Sequence, residues 1–339
     1  MLPDRFARTT ILFLLTFSPK LLALPVTDLW VQSACKLERA GETRNFPGAM
    51  CIFGADGSLI SVSMTKARKL SPEGKILWEV EGKFHHQANP SPDGKRLLLL
   101  AQDATLEARG KRRDDYFLVL NQAGKTLHKI NAQEIVTQVK TPRYPVKIRK
   151  DHTGLAPDFE ATHFNSIYEI PENSLSEKLP WLAPGNIIVN SLKLGIFILT
   201  PDLKKVLRHI DLSRFSHDNA IHDAQVNSRG ELLVFNNNVK DSGLGPYSAI
   251  QKFDLRTLRP VFEFTPANKL LFYSAGGGGV QEIGEYIFFS HTLTGGFLYS
   301  KREKKIIRAY PGANGDPTGI RRIQEMKLID ASGFLSKAK

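Results

Sequence analysis

Leu118-Val-Leu-Asn-Gln-Ala-Gly-Lys-Thr-Leu-His-Lys-Ile130 reads as two short apolar strands folded about a polar turn. The same design recurs at Lys69–Val80, Phe197–Ile210, Gln251–Phe264 and Phe297–Tyr310. Ahead of these hairpins stand turn-marked strand pairs, at Asp56-Gly57, Asp93-Gly94, Pro184-Gly185, Arg229-Gly230 and Ile283-Gly284. Two hairpins in series make a four-stranded up-and-down unit, and five such units fit between residues 48 and 312. Helical periodicity is almost absent. Antiparallel four-stranded units at roughly 40–50-residue spacing are the mark of a β-propeller.

The segments 24–47 and 313–339 are each too short for a whole unit. Joined, they make a sixth, closing the ring and covering both edge strands, which would otherwise invite aggregation. The expectation is all-β: a six-bladed β-propeller of four-stranded antiparallel blades, in one domain from 24 to 339. Three stretches break the rhythm. Residues 103–115, with Arg109-Gly-Lys-Arg-Arg113, read as a solvated loop between blade strands. Residues 134–160, with Pro142, Pro145 and Pro157, read as a long blade-to-blade linker, a length often tied to function. Residues 174–183, holding Trp181, are expected close to the site described below.

Composition narrows the class. Of 339 residues, 46 are Lys or Arg and 34 Asp or Glu, a formal charge of +12. A hydrophobic fraction of 42 % supplies a core and excludes a disordered chain. The basic residues lie in turns and loops, as in Lys301-Arg-Glu-Lys-Lys305, without the aromatic interleaving of single-strand binders, so nucleic acid is not an expected partner. Residues 1–23 place Arg5 and Arg8 before Thr10-Ile-Leu-Phe-Leu-Leu-Thr-Phe17, the pattern of a secretory signal cleaved after Ala23. Eight or so apolar residues are too few to span a bilayer, which takes about 20. No later run spans one either, so a soluble periplasmic or secreted protein is expected, its oligomeric state open. In an oxidising compartment Cys35 and Cys51 are expected to pair.

Three of nine histidines occupy one place in the repeat. His86 and His222 each stand eight residues before a turn glycine, Gly94 and Gly230, and His163 opens the corresponding strand. The first strand of each blade lines the central channel, so these imidazoles should converge on the axis at one face. Asn165 follows His163 two residues on, on the same strand face. Such a cluster suits a zinc or copper ion, an oxyanion, or covalent chemistry with one histidine as nucleophile. Spacing does not choose among these.

The set His85-His86…Pro92-Asp-Gly94, Thr162-His-Phe-Asn-Ser166 and His222-Asp-Ala224…Leu233-Val-Phe-Asn-Asn237 resembles the bacterial aryl-sulfate sulfotransferases. That family folds as a six-bladed propeller, is exported, and moves a sulfuryl group between phenols without a nucleotide donor. The resemblance implies that His222 is the nucleophile, transiently sulfurylated, with His86, His163 and Asn165 holding the sulfuryl oxygens. His85 and Asp223, inside the same motifs, become candidates for substrate contact. It implies an aryl sulfate donor, a phenolic acceptor, and neither metal nor cofactor. One residue departs. The family carries an Arg in a Ser-x-Arg ending, where this chain reads Asn190-Ser-Leu192. Lys193 should face the other side of that strand. Arg149, in the linker, is the candidate substitute cation. Without one, the chain is expected to be slow, to act on another substrate, or to be an inactive or repurposed propeller serving as a binding or scaffold module.

Overall fold

The protein is described by a computed structural model. It covers residues 30–329 except 34, 40–41, 47–49, 55, 108–109, 140–146, 150–157, 161, 241–246, 266–271, 275–276, 292–294 and 312–325. The expected signal at 1–23 lies outside the described residues.

The chain forms an all-β propeller. All five hairpins expected from the sequence are present; in the one quoted first, Gly110–Asn121 pairs antiparallel with Thr126–Asn131. Five sheets hold four antiparallel strands each, and a further sheet holds six. The strands Met50–Phe53, Phe84–Pro90, Phe164–Glu169, Ile221–Val226, Gly279–Ile283 and Met326–Ile329 lie against one another in succession as the inner wall. The last of these pairs with Trp30–Ser33, so one sheet takes a single strand from the C-terminal segment and three from the N-terminal one. Cys35 and Cys51 are disulfide-bonded, clipping that sheet to the next. The Gln32 amide donates to the Cys51 carbonyl at 2.8 Å across the same junction.

Where a sheet is covered on both faces by its neighbours, its middle strands read as continuous apolar runs rather than alternations. Ile187–Ser191 and Gly195–Leu199 are buried at every position. The core sits between sheets, where Leu98, Leu100, Phe117 and Val119 meet Phe164, Ile167, Val189 and Phe197. Outermost strands have one free edge and one wet face, which leaves Ile76, Leu77, Val261, Ile306 and Ile307 exposed.

Two insertions differ from the sequence reading. Residues 103–115 are not a solvated loop. Arg96–Glu107 and Gly110–Asn121 are twelve-residue strands paired along their whole length. The charges that suggested a loop lie where this hairpin runs past the ring: Phe84 opens the inner strand opposite Ala101, and pairing continues from there to Glu107. Part of 134–160 joins it. Asp158–Glu160 adds in parallel to Lys111–Arg113, and Lys147–Arg149 adds antiparallel to Asp158–Glu160, which makes this sheet six-stranded. A short helix, Ala132–Val136, capped by the Asn131 side chain, packs Ala132 and Ile135 into the core.

Candidate functional site

The three histidines do meet. The His86 ring lies 5.0 Å from that of His163 and 5.7 Å from that of His222, centre to centre. His86 and His222 lie on inner strands and His163 directly precedes the one between them, as the repeat position requires. Simple strand alternation does not aim them. His86 has φ 55° and His163 φ 57°, left-handed values that cost a non-glycine residue about 1–2 kcal/mol. The inner-to-second-strand register also slips nearby: between Phe84 and Ala88, between Phe164 and Ser166, and between Ile221 and Asp223. No such slip occurs in the neighbouring inner strands Met50–Phe53 and Gly279–Ile283. Bulges re-aim side chains; two of these span His86 and His222, and the third falls at Asn165, two residues after His163.

His222 is held by Gly277, whose backbone N–H donates to Nδ1 at 3.1 Å. The neutral ring therefore carries its proton on Nε2. Burial, aided by the charge of His163, lowers the His222 pKa to about 3, so the ring is neutral at physiological pH. The close approach depends on glycine. Gly277 and Gly278 have φ 92° and 130°, and a Cβ on Gly278 would fall 2.4 Å from the Phe235 ring.

The other candidates have more specific places. The Asn165 amide donates to the Ile221 carbonyl at 3.2 Å, beside the Asn190 amide, which donates to the same oxygen at 2.7 Å. Both asparagines thus fix the backbone just before His222. Asp223 is fully buried and serves the ring itself. Its Oδ1 accepts from Gln87 at 3.4 Å, and its Oδ2 from Gln225 at 3.1 Å and from the Val280 N–H at 3.0 Å. Gln87 and Gln225 also donate to the Tyr168 hydroxyl, at 3.0 and 3.2 Å. This belt ties the inner strands together below the histidines. Beyond it, a small cavity of about 60 Å³ opens at the far end, among Pro90, Tyr168, Glu169, Gln225 and Glu282.

His85 does not join the three rings as an equal. Its Nε2 faces Asp115 Oδ1 at 3.1 Å, and its ring stacks edge-on against His86 at 4.8 Å. Asp115 is the residue the sequence reading missed, because it ends the stretch taken for a loop. Burial raises its pKa, but His85, His163 and Thr162 more than reverse that and hold it below the ordinary carboxylate value.

Leu192 lies in a turn, not on a strand. The strand ends at Ser191, so the alternation expected to direct Lys193 does not apply, and Lys193 has φ 76°. The Leu192 N–H donates to the His163 carbonyl at 2.9 Å, which puts this position beside the cluster. Arg149 is on the short strand added to the long hairpin; its side chain is outside the described residues. The 174–183 insertion is not near the histidines. It follows the far end of Phe164–Glu169 and packs on the Asn227–Gly230 turn, where Ser174 N–H donates to the Ser228 carbonyl. Six strand residues separate that end from His163, about 20 Å at 3.3 Å each. Among the described residues, no group of three or more His, Cys, Asp or Glu side chains is arranged to hold a metal ion. No helix among them is long and apolar enough to cross a membrane.

No protein-family model matches the chain, and no curated protein matches it. Among solved structures, Sqt1 of Saccharomyces cerevisiae is similar to it, at 10 % identity over 80 % of this chain and 76 % of that one. The TM-score is 0.44, a likeness that carries no argument about what this chain does.

Proposed function

We propose that the protein is an exported sulfotransferase of the aryl-sulfate type, built on a ring of six blades in which the expanded sheet is one blade. The observation that carries the reading is the histidine trio: the His86 ring lies 5.0 Å from His163 and 5.7 Å from His222, with His86 and His222 inside register slips and His163 just ahead of one. In the first half-reaction a ring nitrogen of His222 forms a bond to sulfur. The sulfur–aryl oxygen bond breaks, and the phenolate leaves with the electron pair and takes a proton from solvent. In the second, the acceptor's phenolic oxygen attacks the same sulfur and returns the pair to His222, its own proton passing to solvent. His86 and His163 face the sulfuryl oxygens, where charge builds in each transition state. A neutral His222 suits attack, and its low pKa makes the imidazole a good leaving group in the second step. The disulfide fits the oxidising compartment this reading requires.

The test is turnover of a chromogenic aryl sulfate with a phenolic acceptor. Transfer is expected in the wild type and its loss in His222→Ala. No transfer in either, across a panel of acceptors, contradicts the reading.

A second reading rests on the Gly277 hydrogen bond. With its proton on Nε2, His222 offers a donor rather than a lone pair from that atom. Attack through Nε2 uses the other tautomer and gives up the Gly277 bond, at a cost of about 1 kcal/mol. A propeller that keeps the Nε2–H tautomer binds a sulfate ester without transferring it, and Leu192 in place of an arginine fits that outcome. Saturable binding of an aryl sulfate with no turnover selects this reading.

A further inference from the structure

Asp115 stands opposite Gln102, where the long hairpin passes the start of the inner strand Phe84–Pro90. It is 1 % exposed, and its carboxylate is faced by potential donors on Thr162, Phe164, His85 and Gln102. Oδ2 accepts from the Thr162 hydroxyl at 2.7 Å and from the Phe164 N–H at 2.8 Å. These residues flank His163, so a single oxygen pins the chain on both sides of the left-handed histidine. Oδ1 faces His85 Nε2 at 3.1 Å and accepts from Gln102 at 3.4 Å. Neutral acceptors would satisfy Thr162 and Phe164 equally well, and a buried carboxylate costs several kcal/mol in desolvation. The charge acts toward His85, whose ring rests on His86, and toward His163.

We propose that Asp115 is the positioning residue of the histidine cluster, holding the proton of His85 on Nε2 and fixing the orientation of His86 and His163. This rests on the reading of that cluster as an oxyanion site. The carboxylate touches no substrate; it acts through the two rings it orients.

The experiment uses long-range ¹H–¹⁵N spectra of the full chain labelled at histidine, wild type against Asp115→Asn, with 4-nitrophenyl sulfate as probe. The asparagine oxygen can still accept from Thr162 and Phe164, which turns its NH₂ toward His85. His85 Nε2 then becomes an acceptor and its proton moves to Nδ1. The expected result is that tautomer switch, displaced His86 and His163 signals, and at least tenfold weaker binding of the probe. An unchanged His85 tautomer, or a switched ring with unchanged affinity, overturns the proposal. If Asp115→Asn fails to fold, Thr162→Val removes one donor to the same oxygen; displaced His163 signals then support the proposal and unmoved ones overturn it. If the wild type binds no aryl sulfate, the oxyanion reading fails on its own, and the His85 tautomer with the His163 shift decides the role of Asp115.

Discussion

His222 shows how much a single environment decides. Its pKa is lowered from 6.5 to about 3, chiefly by burial. Between those values the unfolded chain binds a proton that the folded chain refuses, so stability is complete above about pH 6.5 and falls as the pH drops toward 3. His222→Gln should therefore flatten the fall in urea midpoint across that window. Parallel curves for variant and wild type would show that the ring is protonated in the folded state. Leu192 yields a second expectation. Its contact with His163 is made by the backbone and survives a change of side chain. Leu192→Arg should tighten aryl sulfate binding about tenfold or more, on the scale of one charge-assisted contact. Equal dissociation constants would place that side chain away from the ligand. Residue identity and spacing were enough to name the trio. They did not reveal the left-handed φ at His86 and His163, because neither residue type requires it.

At the scale of elements, the ring is braced by polar groups as much as by its core. Glu282 accepts from Lys252 at 3.3 Å and from Arg229 at 2.9 Å, and also pairs with Lys301. Burial alone would raise its pKa; Lys301, Lys252 and Asn227 outweigh that and hold it at about 2. Glu282→Gln leaves the nearly buried Lys252 short of a counter-charge, with Glu231 still beside it at 3.4 Å. The expected cost is about 3 kcal/mol, the lower end for breaking a buried pair, read from chemical denaturation. A loss under about 0.5 kcal/mol would match a solvated surface pair instead. The hairpins were legible because turn glycines and alternating apolar residues are local signals. The long hairpin was not, since Asp103, Arg109 and Arg112 resemble a loop until the partner strand is known. Asp115 was lost with it. Its burial depends on Thr162 and Phe164, nearly fifty residues away.

At the scale of the whole molecule, closure joins the two ends of the described chain. Trp30–Ser33 holds Met326–Ile329 by backbone pairing, and the Cys35–Cys51 bond fastens the resulting sheet to its neighbour. The bond closes a loop across a sequence separation of 16. Cys35→Ser with Cys51→Ser should cost about 3 kcal/mol by loop entropy, seen as a lower denaturant midpoint that reductant no longer changes. An unchanged midpoint would mean that strand pairing alone secures the closure. This architecture also explains why three distant motifs make one site: successive inner strands bring residues 86, 163 and 222 to one end of the channel. The +12 charge has no comparable structural explanation.

The central chemical step is acceptance of a sulfuryl group by His222. The direct measurement is peptide mass spectrometry after exposure to an aryl sulfate without acceptor, followed by addition of a phenol. The expected result is a sulfuryl adduct on the His222 peptide that disappears as the phenol is sulfated. Bound ester with an unmodified His222 would contradict it.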